Sequence, residues 1–495
     1  MKKNKLEIIV FVCGVFSMAL ELVAARIFSP YVGSSNLVWT TIIGMILIFM
    51  SFGYYVGGKV ADKKQDMNIL RFLLYIALVY IALLPILEML VLEPFAKIGL
   101  PLVITGIIMS VILFFVPSFV FAFASPFIVK LKQIDSDENK EKIGEISGKM
   151  SAYSTIGSII GTFVTGFWLI PMIGIRGIVF LITCGLEVVL IALEEKFDFK
   201  IALKYIIVTI FIIAGFCLGI FLYEVKHPEI IRDINSEYSR IQVIEYENKN
   251  KEKIKYIKVG NEGNESYINE NTGRIGGYLY FFDLAKYYIK DYRNSLLIGG
   301  AAYSYPTYFY GIEENKNIKM DVVEIDETMT KIAVEEFGLN KDNPSLDIIH
   351  QDGRSYLNYT DKKYDAILVD AFKGLYVPFE LTTYEAVSKM YEVLNDNGIV
   401  ITNIISSFEG KDSKVLKHEY ATYKAVFDDV KLFYQNENLK DELETKQNII
   451  LIGFKGDKKV NESKKECYES LLDNEIYGYT SDKDIVTDNL AQIGN

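Results

Sequence analysis

The chain has 495 residues, of which 51% are hydrophobic and 23% charged, and its mean hydropathy of +0.21 excludes a disordered or collagen-like protein. Residues 1–225 hold 18 of the 52 Lys and Arg residues and 16 of the 63 Asp and Glu residues, a net charge of +2, so the remainder carries 34 − 47 = −13 of the total of −11. An acidic second half argues against a nucleic acid partner, which requires a basic surface.

The first half contains apolar runs that are long enough to cross a membrane. A helix that spans the hydrocarbon core needs about 20 apolar residues. The runs are Leu6–Phe28, Leu37–Gly57, Ile69–Leu92, Leu100–Val129, Ser151–Ile170, Ile173–Leu193 and Ile201–Tyr223. The fourth run is overlong and contains Pro117, so it is either one kinked helix or a hairpin of two short helices. Residues 1–225 therefore predict a multi-pass α-helical domain in the cell membrane, with seven helices, or eight if the hairpin forms.

Lysines gather at alternate ends of these runs. They lie at Lys2, Lys3 and Lys5, at Lys59, Lys63 and Lys64, between Lys130 and Lys149, and at Lys196 and Lys200. The positive-inside rule then places the N-terminus in the cytoplasm. Seven spans would put the rest of the chain outside and eight would put it inside, and both readings stay open. Gly157 and Gly161 form a GxxxG pattern that favours close helix packing over a substrate path.

The pattern changes in the second half to short β-type runs and then to alternating strands and helices. Arg240–Glu247 and Ile254–Val259 predict a small β-rich subdomain over residues 226–293. Residues 294–495 predict a parallel, doubly wound α/β sheet of the Rossmann-like kind. Its strands are Ser295–Gly299, Met320–Ile325, Leu346–His350, Tyr364–Val369, Gly398–Ile405, Val430–Tyr434 and Asn448–Phe454, with helices at Thr328–Phe337 and Thr383–Leu394.

Candidate ligand-binding residues follow the strands, because ligands bind such sheets at the carboxyl ends of the strands. Any one carboxylate is more often a turn former or a helix cap. Acids at three of four successive strand ends, after a Gly-Gly turn, indicate a nucleoside-bearing cofactor such as S-adenosylmethionine. The residues are Gly299 and Gly300, then Glu324 and Asp326, which suit a ribose diol, then Asp352 and Gly353, which suit an adenine amino group, and Asp370.

The four cysteines and three histidines are scattered along the chain. No CxxC pair and no His cluster is present, so a zinc site or a His-based metal centre is not expected.

These motifs resemble the spermidine synthase (polyamine aminopropyltransferase) family, which has the class I methyltransferase-like fold. The likeness rests on Ser236-Glu237-Tyr238, the Gly-Gly loop, Val323–Asp326, Gln351–Arg354, Asp370 and Val486–Ala491. The membrane half is similar to the subgroup in which a multi-span region is fused to such a domain, through Glu21–Arg26, Gly57–Asp62 and Tyr153–Ser158.

The resemblance implies an enzyme that transfers the aminopropyl group of decarboxylated S-adenosylmethionine to a small-molecule amine, with no metal. Asp370 would orient the amine and accept its proton, and Lys373 and Tyr376 would contact the acceptor. Gly299, Gly300, Glu324, Asp326, Asp352 and Gly353 would hold the co-substrate. Aminopropyltransferases are commonly dimers, so a homodimer is implied unless the membrane half replaces that interface.

The sequence departs from the family pattern where the diamine would bind. An Asp-x-x-Asp pattern is expected, but Asp370 is followed by Lys373, and Gly277–Phe282 lacks the Tyr-His-Glu signature. An anionic, lipidic or neutral acceptor is therefore an open alternative. Two other functions also stay open. One is a methyltransferase or lyase that uses intact S-adenosylmethionine, and the other is a transporter or sensor that binds a polyamine or nucleoside without turnover.

Overall fold

The computed structural model of the chain describes residues 5–32, 36–98, 100–136, 143–194, 198–260, 264–372, 377–435, 442–457 and 460–488. They fall into two compact units. The first is Met1–Gln242 with Val259–Asn261, and the second is Val243–Lys258 with Glu262–Asn495. The two units are defined by contacts between residues, and the division falls inside a strand. It does not test the domain boundaries expected near residues 225 and 293, which stay predictions.

The first unit consists mainly of long apolar helices, as the sequence predicts. They are α1 (Lys5–Val32), α2 (Asn36–Lys63), α3 (Met67–Ala82), α4 (Leu84–Lys97), α5 (Leu102–Ser136), α6 (Ile143–Val164), α7 (Ile170–Ala192) and α8 (Phe199–Lys226). Among the described residues, five stretches are long and apolar enough to cross a membrane, and α3 with the first part of α4 makes a sixth, bent by 58°. One of the five, Ile143–Ala192, is 50 residues long and combines α6 and α7.

The overlong fourth run is one helix and not a hairpin. The 35 residues of α5 are continuous, although Pro117 and Pro126 lie inside it. A proline removes one backbone hydrogen bond, and in an apolar surrounding the neighbouring helices can keep the helix intact across that gap. The hairpin alternative is therefore wrong for this run, and the number of membrane crossings stays a prediction.

Glycines set the closest helix contacts. A Cβ added to Gly157 would lie under 3.0 Å from the carbonyl oxygen of Phe11, and one added to Gly161 equally close to that of Val15. The GxxxG pattern therefore serves close helix packing, as predicted. The two contacts advance together along both helices, so α1 and α6 run parallel.

A second glycine pair has the same role between α2 and α5. A Cβ on Gly53 would lie under 3.0 Å from the carbonyl oxygen of Phe119, and one on Gly57 equally close to that of Phe123. These contacts also advance together, so α2 and α5 run parallel to each other.

The lysine-bearing helix ends lie together on one face of this unit. Four contacts join them: Lys5 Nζ to the carbonyl of Ala192 (2.8 Å), Arg71 to Glu194 (2.6 Å), Lys130 to Asp62 (3.3 Å) and Lys132 to Glu7. The start of α8 belongs to the same face, because the Tyr205 hydroxyl donates to Glu194 (2.9 Å). The end of α8 therefore lies at the opposite face, where the chain continues into the first strand.

The strands form two sheets. In the first, β1 (Ile230–Asn235), β2 (Arg240–Glu247), β3 (Lys253–Val259) and β4 (Asn264–Asn269) follow one another in chain order. The second has eight strands in the order β12-β10-β11-β9-β8-β5-β6-β7. Its strands are β5 (Asn294–Ile298), β6 (Lys319–Glu324), β7 (Leu346–His350), β8 (Tyr364–Val369), β9 (Leu394–Ser406), β10 (Asp429–Tyr434), β11 (Gln447–Phe454) and β12 (Glu475–Ile476).

The prediction of a wholly parallel sheet is wrong for its last strands. The strands β5 to β9 are parallel, but β11 runs antiparallel to β9, and β10 runs antiparallel to β11 and β12. A parallel neighbour requires a crossover of a dozen or more residues, usually a helix, and no helix is described between β10 and β11. The sheet is therefore mixed.

Helices cover both faces of this sheet. They are α9 (Ala285–Tyr288), α10 (Ser304–Gly311), α11 (Glu327–Glu336), α12 (Gly353–Tyr359), α13 (Phe379–Thr382), α14 (Tyr384–Val393), α15 (Lys414–Val426) and α16 (Lys465–Leu472). Successive strand residues enter different cores: Leu297 and Leu368 belong to one apolar cluster, and Ile298 and Val369 to the other. This alternation follows from the two-residue period of a strand.

Candidate active site

The carboxyl ends of four parallel strands form one edge of the sheet. Ile298 pairs with Val323 on β6 and with Val369 on β8, and Glu324 pairs with His350 on β7. Because these strands end level with one another, the loops that follow them meet. The predicted residues are thereby brought to one place, as the strand-end rule requires.

Gly299 brings the first loop against the fourth. Its φ is +95°, a conformation that side-chain-bearing residues rarely adopt. An added Cβ would lie under 3.0 Å from the carbonyl oxygen of Asp370. On either side, Gly299 N donates to the carbonyl of Val323 (2.9 Å) and Asp370 N to that of Ile298 (2.9 Å). Any side chain at Gly299 would therefore push the two loops apart.

Glu324 supports the glycine loop through its carboxylate. One oxygen accepts from Gly300 N (2.8 Å) and Ala301 N (3.1 Å), and the other accepts from Asp326 N (2.9 Å). Burial raises the pKa of Glu324, and these three N–H groups oppose that rise. A carboxylate has about four acceptor positions. Three are used here by backbone N–H groups, so one remains.

The other two predicted acids cap helices. Asp326 accepts from Thr328 N (2.9 Å) at the start of α11, and Asp352 accepts from Ser355 N (2.8 Å) at the start of α12. The capping interpretation therefore holds for both. They differ in that Asp352 is exposed, whereas Asp326 is buried and its Oδ2 has no donor among the described residues. A buried oxygen without a donor is an open acceptor.

Gly353 brings the loop that follows β7 close to strand β5. A Cβ added to it would lie 2.7 Å from Cγ2 of Ile298. The loop is also tied to the C-terminal segment, since Asp488 accepts from Arg354 Nη2 (2.8 Å) and from the Thr383 hydroxyl (2.7 Å). Within the Gln351–Arg354 stretch, the arginine thus positions the loop.

Asp370 is held by two hydrogen bonds. Its Oδ2 accepts from the Tyr278 hydroxyl (3.1 Å), and its Oδ1 accepts from Asn403 Nδ2 (3.2 Å). Burial raises the pKa of Asp370 to about 6, against the lowering effect of Asn403 and Tyr278. At pH 7 a carboxyl group with that pKa is about 90% ionised. Asp370 is therefore a stronger base than an ordinary aspartate and is still mostly charged.

Neither partner of Asp370 was assigned a role from the sequence. Tyr278 lies in the 3₁₀ segment Gly277–Leu284, the stretch that lacks the expected Tyr-His-Glu signature. Asn403 is a buried amide within β9, where most neighbours are aliphatic. A buried polar residue in an apolar strand was the available signal, because such groups are usually retained for a partner.

The predicted acceptor contacts Lys373 and Tyr376 lie outside the described residues. No group of three or more His, Cys, Asp or Glu side chains suited to a metal ion occurs in the described part of the chain.

Comparisons with known proteins find relatives of the C-terminal part of the chain. The spermine/spermidine synthase domain model matches residues 284–436. The polyamine aminopropyltransferase of Vibrio vulnificus (strain CMCP6) is 35% identical over 136 residues, which are 27% of this chain and 41% of that protein. The "Probable polyamine aminopropyl transferase" of Bifidobacterium longum (strain NCC 2705) is 32% identical over 164 residues, which are 32% and 35% of the two chains.

A solved structure is similar at lower identity. A probable spermidine synthase from Corynebacterium glutamicum ATCC 13032 matches 52% of this chain and 98% of that chain, with 20% identity and a TM-score of 0.43. The chain spans less than half the length of the two curated relatives above. The C-terminal part of the chain thus carries a spermidine synthase-type domain, which confirms the family resemblance for that part.

Proposed function

We propose that this protein is a membrane-bound aminopropyltransferase that uses decarboxylated S-adenosylmethionine and an amine acceptor. The observation that carries the proposal is the position of Asp370. Its carboxylate lies beside the glycine loop at the strand ends, is held by Tyr278 and Asn403, and has a pKa raised towards neutrality. A base of this strength suits removal of a proton from an amine near pH 7.

The residues around the glycine loop fit a nucleoside. Glu324 keeps one acceptor position for a ribose hydroxyl, and the buried Oδ2 of Asp326 supplies another. Gly299 and Gly300 let the loop pack closely against the backbone of Asp370 and the ring of Tyr303, and Asp352 with Gly353 borders the same edge. These are the residues that would hold the co-substrate.

Asp370 would carry out the proton transfer. Amines are mostly protonated near pH 7, and a protonated amine cannot attack carbon. The negative charge of Asp370 would attract the ammonium group and then accept its proton. The neutral amine nitrogen then forms a bond to the aminopropyl carbon, the bond from that carbon to the sulfonium sulfur breaks, and methylthioadenosine leaves.

The full-length protein in nanodiscs provides the test. We would incubate it with decarboxylated S-adenosylmethionine and, separately, with S-adenosylmethionine, each with diamines, monoamines that carry no second charged group, and amino acids as acceptors. Mass spectrometry would identify the products. Lys373 in place of the second acid favours an acceptor without a second cation, so we expect monoamines to be used better than putrescine.

Three outcomes are distinguishable. An acceptor that gains an aminopropyl group, with methylthioadenosine released, supports the proposal. Release of S-adenosylhomocysteine would show methyl transfer instead. Binding of the nucleoside without any product, by protein that is folded, would favour the transporter or sensor alternative.

We further propose that the first unit crosses the membrane seven times. α6 runs parallel to α1, whereas the contact between Lys5 and Ala192 joins the start of α1 to the end of α7, so α6 and α7 run in opposite directions. A stretch of 50 residues is also longer than one crossing needs. If α3 and α4 together form one span, and α6 and α7 form one span each, the total is seven spans.

With seven spans, the positive-inside rule places the C-terminal domain outside the cytoplasm. The lysine-bearing ends share one face, and α8 ends at the other. A membrane-impermeant maleimide applied to intact cells tests this through Cys467, which is exposed, with the buried Cys13 as internal control. Labelling before permeabilisation supports the proposal, and labelling only afterwards contradicts it. The homodimer stays a prediction, to be checked by native mass spectrometry.

A further inference from the structure

A cavity of about 300 Å³ lies beside a break in α7, within the first unit. Its lining includes Glu88 of α4, Gly174 and Arg176 of α7, Asp233 and Asn235 of β1, and Arg240 of β2. This volume is at the small end of the range for small-molecule pockets. Glu88 and Arg176 also line a second, smaller cavity with Tyr223. Both cavities are lined by residues of the first unit, and none of these residues has a role in the proposed aminopropyl transfer.

Two of the four charged groups satisfy each other. Arg240 Nε donates to Asp233 Oδ1 (2.8 Å) and Arg240 Nη2 to Asp233 Oδ2 (2.6 Å), a bidentate pair. Gln242 and Tyr223 extend this network. Burial acts to raise the pKa of Asp233, but the contacts with Arg240 outweigh burial and lower that pKa. The pair is therefore neutral overall and leaves little capacity for a ligand.

The other two charged groups, Glu88 and Arg176, have no hydrogen-bonded charge partner in the described part of the chain. The cation nearest to Glu88 is Arg240, whose Nη1 lies 3.8 Å from Oε1, and Glu88 has no hydrogen bond among the described residues. The guanidinium of Arg176 lies 4.2 Å from the ring centroid of Tyr223, and in the described part of the chain it has no hydrogen-bonded acceptor. Asn235 adds a buried Oδ1 without a donor. The cavity thus presents an anion with a neutral acceptor and, separately, a cation.

The break in α7 adds backbone donors. Gly174 has φ +65° and ψ 179°, which interrupts the helix just before Arg176. The first N–H groups of the helical segment that follows lack intrahelical partners, and that end carries a partial positive charge. In membrane proteins such broken helices commonly line binding sites. Donors therefore concentrate around Arg176, and acceptors at Glu88 and Asn235.

We propose that this cavity binds a small zwitterion, with its acid group on Arg176 and the adjacent helix N-terminus and its ammonium group on Glu88 and Asn235. A zwitterion matches both open groups, whereas a simple anion or cation would leave one buried charge unpaired, which is costly. The same chemistry is found in a free amino acid and in the headgroup of an aminophospholipid. The proposal is independent of the catalytic one.

Binding would be measured on the full chain in phosphatidylglycerol nanodiscs by isothermal calorimetry. The probes are β-alanine, O-phosphoethanolamine, and the two single-charge halves propionate and propylamine. Native mass spectrometry of nanodiscs that contain phosphatidylethanolamine provides the lipid arm. The variants are Glu88→Gln and Arg176→Gln, and the matched controls are Glu224→Gln and Lys200→Gln, whose side chains are exposed.

We expect the zwitterions to bind more tightly than either half, or phosphatidylethanolamine to be retained in its place. Each charge removal should weaken that binding by about ten- to hundredfold, the cost of a charged hydrogen bond. In Glu88→Gln the preference for β-alanine over propionate should vanish, and in Arg176→Gln its preference over propylamine should vanish. Misfolding would not produce this reciprocal pattern. Absence of binding by every free and lipid-borne zwitterion, or equal loss in the control variants, would overturn the proposal.

Discussion

Replacement of Asp370 by asparagine tests the catalytic proposal most directly. Asparagine has nearly the same shape but cannot take a proton. General-base catalysis contributes about 10²- to 10⁴-fold to a rate, so kcat/KM should fall by that factor, or by about 3–5 kcal/mol of transition-state stabilisation. The nucleoside should still bind, because Gly299 and Glu324 are unchanged.

The fold should survive this substitution. The pKa of Asp370 is raised from 3.8 to about 6 in the folded protein. The folded state therefore holds its proton more tightly than the unfolded state, and stability falls as pH rises between these two values. A pKa shift of that size lowers the free energy of unfolding by at most about 3 kcal/mol. Asp370→Asn should thus be as stable as the parent at pH 7.5, or more stable, which thermal unfolding in detergent can measure.

The pH dependence of kcat/KM gives a sharper criterion. Activity should rise with pH along a limb centred near 6, the pKa of Asp370. The Tyr278 hydroxyl lowers that pKa, so Tyr278→Phe should move the limb to higher pH, by about one unit if the lost hydrogen bond is worth 1.5 kcal/mol. Tyr280→Phe removes a hydroxyl from the same 3₁₀ segment that bonds Ile275 N instead, and should not move it. Equal shifts in both variants, or an Asp370→Asn enzyme within threefold of the parent, would refute the reasoning.

Three further predictions concern stability and the glycine contacts. Glu419 is buried, neither of its carboxylate oxygens has a partner among the described residues, and burial raises its pKa to about 8. The folding stability of the parent should therefore fall as pH rises towards 8, and at pH 8 Glu419→Gln should remove up to about 4 kcal/mol of that loss. Thermal midpoints measured across pH would show the difference. Parallel curves for the two proteins would contradict it. Gly161→Leu should separate α1 from α6 and destabilise the protein by about 1–3 kcal/mol or more. Gly148→Leu, on the same helix but with open space around it, should not. Equal thermal midpoints for the two variants would argue against close packing at Gly161. Gly299→Ala should weaken nucleoside binding at least tenfold in calorimetry, because the added methyl group would push its loop away from Asp370. Gly311→Ala, in open space, should leave binding intact. Unchanged binding in both variants would show that the contact between the Gly299 loop and Asp370 does not matter for the nucleoside.

Local pattern accounts for much of the architecture. The long apolar runs predict the helices of the first unit, because the hydrocarbon core tolerates few other structures. The alternation of strands and helices after residue 294 predicts the parallel core, and the strand-end rule predicts where Gly299, Glu324 and Asp370 meet. The direction of β10 and β11 was missed, since the length of a connection constrains strand direction only once the pairing partner is known.

By itself the sequence determined which residues are apolar enough for a membrane and which acids follow strands, because both properties depend on residues close together in the chain. Only the tertiary structure decided that α5 is one helix, that Tyr278 and Asn403 hold Asp370, and that Glu88 and Arg176 face one cavity. The contacts of Asp370 join residues 33 and 92 positions apart, and the cavity joins residues of similar separation. The raised pKa of Asp370 and the open hydrogen-bonding groups of the cavity arise from burial by distant segments, which no local pattern encodes.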